Sequence, residues 1–494
     1  MLFDHLRHPE LPPGPSMPSW LQLYHWLGDS RAFYAQQRAL HGDVFTIRPF
    51  GVVPSVVFAH PAAVREILQV TPGTFGHAND LAQISVGTDS VILRNGDPHR
   101  LARRRLMPSF LGAPLHALGP RMLEATDEAI DALSPGEQVD FLWLGRRLTL
   151  HIIFRTLFGV GASGRYDALF REVLTLAEGA QDPFAMMAAT VLPPGLLAAV
   201  TRGSHDGEGR RRRDPAWVVP LRSGSMVRAN RRVRDMLLAH VRDVRAGRVE
   251  ALPDSVFAQI LRRADASDGP ALGDDELVSE LLTLLLAGHD TTAIALSWAL
   301  RLLLHHESTW AALCNEVARS VAEHGALDVS AVDRLPYLDA AVRESMRLQP
   351  IVPAIARRAL VDTVIAGVRI PAGVMVQALT TGGQHDEDLW PDARAFRPER
   401  MLDTSARPEA LLPFGGGYRR CVGAAFATLE LKLILARLAQ RTELRLLLSE
   451  APVPGRSGIL AQPHGGAPVL VTARHPRETR SARPAHSSSA SLAR

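Results

Sequence analysis

The chain has 494 residues, 46% of them hydrophobic, which is enough to bury a large core and, by length alone, to form two or three domains. A net charge of only +4 and the lack of a recognisable DNA- or RNA-binding motif exclude a dedicated nucleic-acid-binding protein. The chain has two cysteines, Cys314 and Cys421, which excludes a disulfide framework and predicts a reducing, cytoplasmic compartment.

The two ends of the chain differ from its body. The proline-rich N-terminal segment, residues 1–39, carries no long apolar run and predicts neither a signal peptide nor a membrane anchor. Residues 474–494 are polar and rich in Ser, Ala and Arg, which predicts a disordered tail.

Strand patterns are confined to two distant places. The stretch "DVFTIRPFGVVPSVVFA" predicts a hairpin that turns between Pro49 and Pro54. The stretch "TVIAGVRIPAGVMVQALT" predicts short strands that are broken at Gly367 and at residues 371–373. The sheets of this protein are therefore expected to be small.

Apolar residues elsewhere recur at helical spacing, which predicts a mainly α-helical protein with small β-sheets (α+β). The main predicted helices are Trp143–Phe158, Asn230–Ala246, Asp275–His305, Trp310–His324, Asp339–Leu348 and Val422–Arg441. Between the first two, residues 203–226 are rich in glycine and arginine, which predicts an exposed connection rather than a binding patch.

The helix containing "LLTLLLAGHDTTAIALSWAL" combines apolar residues with a local conflict. Glycine and paired threonines oppose helix propensity, and such conflicts occur at functional sites. Ala287, Thr291 and Ala295 fall on one stripe, where small side chains let a flat cofactor approach. The Thr291 hydroxyl is placed to bond the carbonyl of Ala287. A plain core helix with stray polar residues is the alternative.

Two Glu–Arg pairs show the same helical spacing. Glu344 and Arg347 lie one turn apart, and so do Glu316 and Arg319, so spacing alone does not separate a buried pair from a solvated one. Only the first pair precedes the second strand group and the "FRPERM" segment that contains Arg400. We expect the Glu316 pair to be solvated.

The segment "FGGGYRRCVG", residues 414–423, places a thiol beside arginines, after three glycines and before an apolar helix. A helix N-terminus and nearby cations stabilise a thiolate, and glycines allow close approach of the backbone to a large group. A catalytic nucleophile is one alternative, although no suitable His or Asn partner is evident. An inert buried thiol is the other, and we assign that role to Cys314.

These residues match the signature F-x-x-G-x-R-x-C-x-G at Phe414, Gly417, Arg419, Cys421 and Gly423, and here the sequence resembles the cytochrome P-450 family of haem-thiolate monooxygenases. The resemblance implies haem b, with Cys421 as the axial ligand of its iron. It further implies that Phe414 packs beside the sulfur and that Arg419 pairs with a haem propionate.

The other motifs extend this resemblance. "AGHDTT" is similar to the oxygen-activation motif of the family, which implies that Asp290 and Thr291 form its acid–alcohol pair and that Ala287 faces the haem. "ESMR" and "FRPERM" are similar to its E-x-x-R and PERF-like segments. They imply a structural charge network of Glu344, Arg347 and Arg400, although Met401 stands where phenylalanine is common.

Further residues resemble the propionate contacts of the family. His99 and Arg103 match a W/H-x-x-x-R pattern on an early helix. Arg357 has the expected distance to the following Ile-Pro at residues 370–371, but its neighbour Arg358 leaves this choice open.

The resemblance spans residues 40–472 and replaces the multi-domain expectation. It implies one cytochrome P-450 domain, residues 40–473, that encloses haem between a long central helix and the cysteine loop. Residues 1–39 then form an N-terminal segment with the first helix, and residues 474–494 form the tail.

The implied activity is insertion of one atom of O2 into an apolar small molecule such as a terpenoid, fatty acid or polyketide. Electrons would come from separate chains, a ferredoxin and its reductase, to a monomeric enzyme. The basic residues Arg100, Arg104, Arg105, Arg420 and Lys432 form either a docking surface for the ferredoxin or an ordinary solvated face. The alternatives are a peroxide-driven peroxygenase, a haem-thiolate dehydratase or isomerase, and a haem-based sensor. Asp290 and Thr291 favour the dioxygen-dependent enzyme.

Overall fold

A computed structural model of the protein describes residues 10–50, 52–159, 164–180, 225–266, 272–403, 411–455 and 460–477. These residues are mainly helical, as the sequence predicts. The α-helices are α1 Ser19–Gly28, α2 Ser30–His41, α3 Pro61–Gln69, α4 Gln83–Val86, α5 Gly96–Leu106, α6 Gly112–His116, α7 Gly119–Asp131, α8 Phe141–Phe158, α9 Arg165–Ala180, α10 Ser225–Arg245, α11 Val256–Ala266, α12 Asp274–His305, α13 Glu307–His324, α14 Val329–Asp333, α15 Pro336–Leu348, α16 Thr380–Gln384 and α17 Ala424–Arg441.

The strands are short and form small sheets. They are β1 Val44–Ile47, β2 Ser55–Phe58, β3 Phe75–Gly76, β4 Gln138–Asp140, β5 Ala354–Ala359, β6 Thr363–Ile365, β7 Val368–Ile370, β8 Met375–Leu379, β9 Thr442–Leu446, β10 Pro454–Gly455, β11 Gln462–Pro463 and β12 Pro468–Arg474. A five-stranded sheet has the order β1-β2-β8-β5-β3, a three-stranded sheet the order β4-β12-β9, and β6–β7 and β10–β11 pair separately.

The largest sheet joins the two distant strand groups of the sequence. The predicted hairpin forms from β1 and β2, with Val44 opposite Phe58. Its second strand then runs parallel to β8, with Ser55 opposite Met375. Because parallel neighbours require a long connection, the sheet ties the start of the chain to a segment more than 300 residues later.

Helix α12 is the centre of the core. It packs against α8, α10, α13, α15 and α17, and most residues between Leu277 and Leu304 are buried. Partners on several sides explain its nearly continuous apolar sequence. By length and hydropathy it is the one helix among the described residues that could cross a membrane, yet 72% of the stretch concerned is buried inside the protein.

The observed helices agree with the predicted ones except at their ends. Helix α15 begins at Pro336 rather than Asp339, since proline is well tolerated in the first turn of a helix. Helix α17 begins at Ala424 rather than Val422, so the cysteine precedes the helix by three residues.

The ends of the chain are described only in part. Helices α1 and α2 pack Leu23, Trp26 and Phe33 against Phe45 and Val57 of the large sheet. The tail predicted from residue 474 begins with contacts to the body, since Arg474 and Arg477 both pair with Asp131. Residues 478–494, and residues 203–224 of the predicted exposed connection, lie outside the described residues.

Candidate active site

The cysteine loop is shaped by its backbone. The Cys421 N–H donates to the Phe414 carbonyl at 3.0 Å, which closes the loop. Gly417 has φ +64°, and a Cβ there would lie 1.8 Å from the carbonyl oxygen of Leu68 in α3. Glycine is therefore required at this position both by its conformation and by the close approach of α3.

The two thiols have different surroundings. Burial raises the pKa of Cys314 to about 11, and that thiol is half-buried. Burial also raises the pKa of Cys421, while the Gly423 N–H and the cations of Arg103 and Arg420 lower it. As a whole residue Cys421 is nevertheless exposed, whereas Cys314 is not.

Four basic side chains of the predicted site lie close enough to influence one another. Burial, Arg419, Arg103 and Arg357 together lower the pKa of His99 to about 4. Burial and Arg419 lower the pKa of Arg357 to about 10. An anion bound among these side chains would offset both the burial of Arg357 and the repulsion between the guanidinium groups.

Contacts between α5 and the cysteine loop hold this cluster. The Arg103 Nη1 donates to the Arg420 carbonyl at 2.7 Å. Arg419 donates to the side chain of Asn95 at 2.6 Å and to the Arg94 carbonyl, whereas its Nε is buried without a hydrogen-bond partner. An orphaned guanidinium nitrogen indicates a missing acceptor.

The structure separates Arg357 from Arg358. Adjacent residues of β5 point to opposite faces of the sheet. Arg358 pairs with Asp80, whereas the side chain of Arg357 is buried near Arg419. The geometry therefore favours Arg357 as the member of the cationic cluster.

Helix α12 carries the predicted hydroxyl contact. The Thr291 Oγ1 donates to the Ala287 carbonyl at 2.7 Å. Ala287 itself is exposed, although this part of the helix is otherwise largely buried, so α12 has an open face at this point. The neighbouring Asp290 is buried and accepts a hydrogen bond from Arg146 of α8 at 2.7 Å.

The predicted charge network is present and fully buried at its centre. The Arg347 Nε and Nη2 donate to the two oxygens of Glu344 at 2.7 and 2.9 Å, and Arg400 donates to the same carboxylate at 3.0 Å. Arg347 also donates to the carbonyls of Gln384 and Ala393. The network therefore joins α15 to the segment that leads into the cysteine loop.

The expectation that Glu316 is solvated is wrong. Its buried carboxylate accepts from the backbone N–H groups of Tyr337 and Leu338 at 2.8 and 2.9 Å. It thus caps the N-terminus of α15 from α13, and Arg319 is exposed. Spacing along α13 carries no signal for this contact, because the partners belong to another helix.

Two residues of the expected docking surface are buried. Lys432 lies 3.5 Å from Asp333 and 3.6 Å from Asp339, and Arg105 lies 3.7 Å from Glu276. Both side chains are buried and paired with partly exposed carboxylates, so the expectation that they form part of the docking surface is wrong.

Arg100, Arg104 and Arg420 remain exposed. The first two line an open pocket of about 680 Å³ between α5 and the cysteine loop, whose lining includes neither Cys421 nor Ala287. This pocket is thus distinct from the open face of α12.

Comparisons with known proteins identify the family. A family model described as Cytochrome P450 matches residues 9–467. A cytochrome P450 135B1 of Mycobacterium tuberculosis is 31% identical over 469 residues, which cover 94% of this chain and 92% of that protein. A cyclooctat-9-en-7-ol 5-monooxygenase of Streptomyces melanosporofaciens is 29% identical over 420 residues, which cover 84% of each chain. The chain belongs to the cytochrome P450 family, whose members are monooxygenases that bind haem b through a cysteine thiolate.

The residues present fit haem b. The exposed Cys421 offers one thiolate to the haem iron. The cationic cluster and the orphaned Arg419 nitrogen suit the two propionates. The open face at Ala287 leaves room for a flat ring.

Proposed function

We propose that this cytochrome P450 inserts one atom of O2 into an apolar small molecule of terpenoid, fatty-acid or polyketide type, using electrons from a separate ferredoxin and ferredoxin reductase. The observation that carries the proposal is the bond from Thr291 to the Ala287 carbonyl on an exposed face of an otherwise buried helix. Dioxygen chemistry needs protons at this position, whereas peroxide-driven or non-oxidative chemistry does not.

Each residue then has a defined task. Cys421 would hold the haem iron, with Phe414 beside it, and Gly423 directs its N–H at the sulfur. When bound, the haem supplies the chemistry that activates dioxygen, and its thiolate ligand favours O–O cleavage. The propionates are held by His99, Arg103, Arg357 and Arg419.

Protons reach the site through α12. The Thr291 hydroxyl is both donor and acceptor, so it can orient an ordered water next to the open face while it stays bonded to the Ala287 carbonyl. The buried Asp290 carboxylate, on the preceding residue, passes protons from the solvent side toward that water. Positioned proton transfer of this kind contributes about 10²–10⁴-fold in rate.

The substrate class rests on two observations. Among the stretches that the family resemblance assigns to the pocket, residues 351–355 are all apolar, and residues 73–91 carry only two acidic residues, Asp80 and Asp89, and no Lys or Arg. The Streptomyces relative is named as the monooxygenase of a terpenoid alcohol. Terpenoids are therefore the first class to assay.

The exposed Arg100, Arg104 and Arg420 suit an acidic ferredoxin in the cytoplasm.

The test combines reconstitution with one substitution. The holoenzyme is assayed with a surrogate ferredoxin, its reductase and candidate terpenoids, and the electrons consumed are compared with the product formed. Thr291→Ala should keep haem and substrate binding, lose most product formation and release the reducing power as hydrogen peroxide, because protons are no longer oriented.

The matched control is Thr292→Ala, at the next position of the same helix. Thr292 donates to the Gly288 carbonyl at 2.7 Å and is buried, so this variant removes the same kind of hydroxyl away from the open face. In the Thr292→Ala variant, electron consumption should remain coupled to product formation. If Thr291→Ala turned over as tightly as the wild type, the dioxygen-dependent proposal would give way to the peroxide-driven or non-oxidative alternatives.

A further inference from the structure

The carboxylate of Asp290 is held from outside its own helix. The Arg146 Nε, on α8, donates to the Asp290 Oδ1 at 2.7 Å. The side chain of Asp290 is 10% exposed and that of Arg146 is 25% exposed, so Arg146 is the more solvent-accessible member of the pair. The pair therefore joins the buried carboxylate of α12 to a side chain that reaches solvent.

Arg146 has a second anchor. Its Nη2 donates to the side-chain oxygen of Gln462 in β11 at 3.1 Å. The preceding carbonyl, that of Ala461, accepts from the indole of Trp298 on α12 at 2.8 Å. Because a guanidinium is a rigid planar fork, two contacts in different directions fix its orientation, and with it the orientation of the Asp290 carboxylate.

Helix α8 also holds the backbone next to Asp290. The Thr149 hydroxyl, one turn after Arg146, donates to the His289 carbonyl at 2.9 Å. Two consecutive residues of α12 are thus held by α8: His289 through its main-chain carbonyl and Asp290 through its side chain. The contact with Gln462 adds a third element, β11, to the support of this pair.

We propose that Arg146 is a positioning residue for proton delivery, which holds the Asp290 carboxylate between the solvent and Thr291 with Gln462 as its fixed support. This inference rests on the proposed role of Asp290. Arg146 keeps its own protons throughout. The proton delivered comes from solvent water, is taken up by Asp290 and leaves it again, so the charge of the pair is unchanged after each turnover.

The first test compares three variants of the holoenzyme. Arg146→Gln removes the charge and should lower kcat by about 10-fold, because positioned proton transfer as a whole contributes about 10²–10⁴-fold. KM should stay unchanged, and the solvent isotope effect on kcat should increase. Arg146→Lys keeps a cation for Asp290 but lacks the fork that reaches Gln462, and should restore part of the rate. Arg147→Gln is the control, because Arg147 is exposed and stacks on Trp143.

The second test asks whether Arg146 acts through Asp290. In an Asp290→Asn background, Arg146→Gln should cause no further loss of kcat. Melting temperatures supply a readout that is independent of turnover, since two substitutions that break one pair should destabilise less than the sum of the single variants. Additive losses in both measurements would overturn the inference.

The two proposals fail in different ways. If Asp290→Asn turned over like the wild type, the proposed proton route through Asp290 would be wrong. If Asp290→Asn were slow while Arg146→Gln kept the wild-type rate and isotope effect, the route would stand and the role of Arg146 would be rejected.

Discussion

At the scale of single residues, the two cysteines, one half-buried and one exposed, test which of them binds the haem iron. Cys421→Ser should abolish the red-shifted absorption of the reduced carbon-monoxide complex, because an alcohol does not replace a thiolate ligand. Cys314→Ser should leave that absorption unchanged, since this thiol is half-buried in α13 and its pKa is raised to about 11. The opposite pattern would reassign the iron ligand.

Glu280 is a second residue with an unusual environment. It is buried on α12, where its Oε2 accepts from the Val91 N–H at 3.2 Å and its Oε1 is buried without a hydrogen-bond partner. Burial raises its pKa to about 7, opposed by the Val91 N–H and by Arg94, and supported by Glu276 and Asp89. Its proton therefore stabilises the folded state.

The sign of the resulting pH dependence follows from linkage. Since the folded pKa of Glu280 exceeds the unfolded one, its ionisation destabilises the protein as pH rises from about 4.5 to about 7, by roughly 3 kcal/mol in total. Glu280→Gln should remove this component. Urea unfolding should then show that the free energy of unfolding of the variant, relative to that of the wild type, increases from about pH 4.5 to about pH 7 and is constant above that range. A pH-independent difference would contradict the prediction, and Glu323→Gln, at an exposed position, is the control.

At the scale of elements, α15 is held at both ends by carboxylates of different kinds. Glu344 lies in a buried ion network near its C-terminus, and Glu316 caps its N-terminus from α13. The first contact leaves a buried cation when it is removed, whereas the second leaves only unbonded N–H groups at a helix end.

The two substitutions should therefore differ in cost. Glu344→Ala should lower the free energy of unfolding by about 3–5 kcal/mol and yield largely haem-free protein, because Arg347 is left unpaired. Glu316→Ala should cost about 0.5–2 kcal/mol, as for the loss of a helix cap. Chemical denaturation and haem content measure both, with the exposed Glu323→Ala as the reference. Equal losses at the two positions would show that burial of the ion network carries no extra energy.

At the scale of the whole molecule, the cysteine loop lies between a buried network and an exposed basic surface. Arg100 and Arg104 of α5 and Arg420 of the loop are exposed, whereas Arg105 and Lys432 are engaged in the interior. We propose that an acidic redox partner docks on this surface, beside the cysteine that would hold the haem.

This arrangement predicts the salt dependence of electron transfer. Replacing Arg100 and Arg104 with glutamine should slow haem reduction by an acidic ferredoxin at low ionic strength and flatten the fall in rate with added salt. Stopped-flow reduction at several salt concentrations measures both effects. Arg319→Gln, at an exposed position on α13, should behave as wild type. An unchanged rate and salt slope in the double variant would move the docking site elsewhere.

The sequence by itself determined the helical class, the two groups of short strands and the motifs whose chemistry is local. The bond from Thr291 to the Ala287 carbonyl spans one helical turn, and the closure of the cysteine loop spans seven residues, so the order of residues specifies each. The Glu344–Arg347 pair is local too, although only its context in the chain distinguished it from the Glu316–Arg319 spacing.

Tertiary structure decided which charges meet. Arg146 and Asp290 are 144 residues apart, and Glu316 lies 21 residues from the amide it caps, so helical periodicity carries no information on either contact. The side chain of Lys432, which was expected on the docking surface, is buried and pairs with the partly exposed Asp333. The alternation of β5 selected Arg357 over Arg358. The physical reason is common to all: an ionic group takes the partner that the packing of distant elements brings within hydrogen-bond distance, and one-dimensional spacing does not encode that distance.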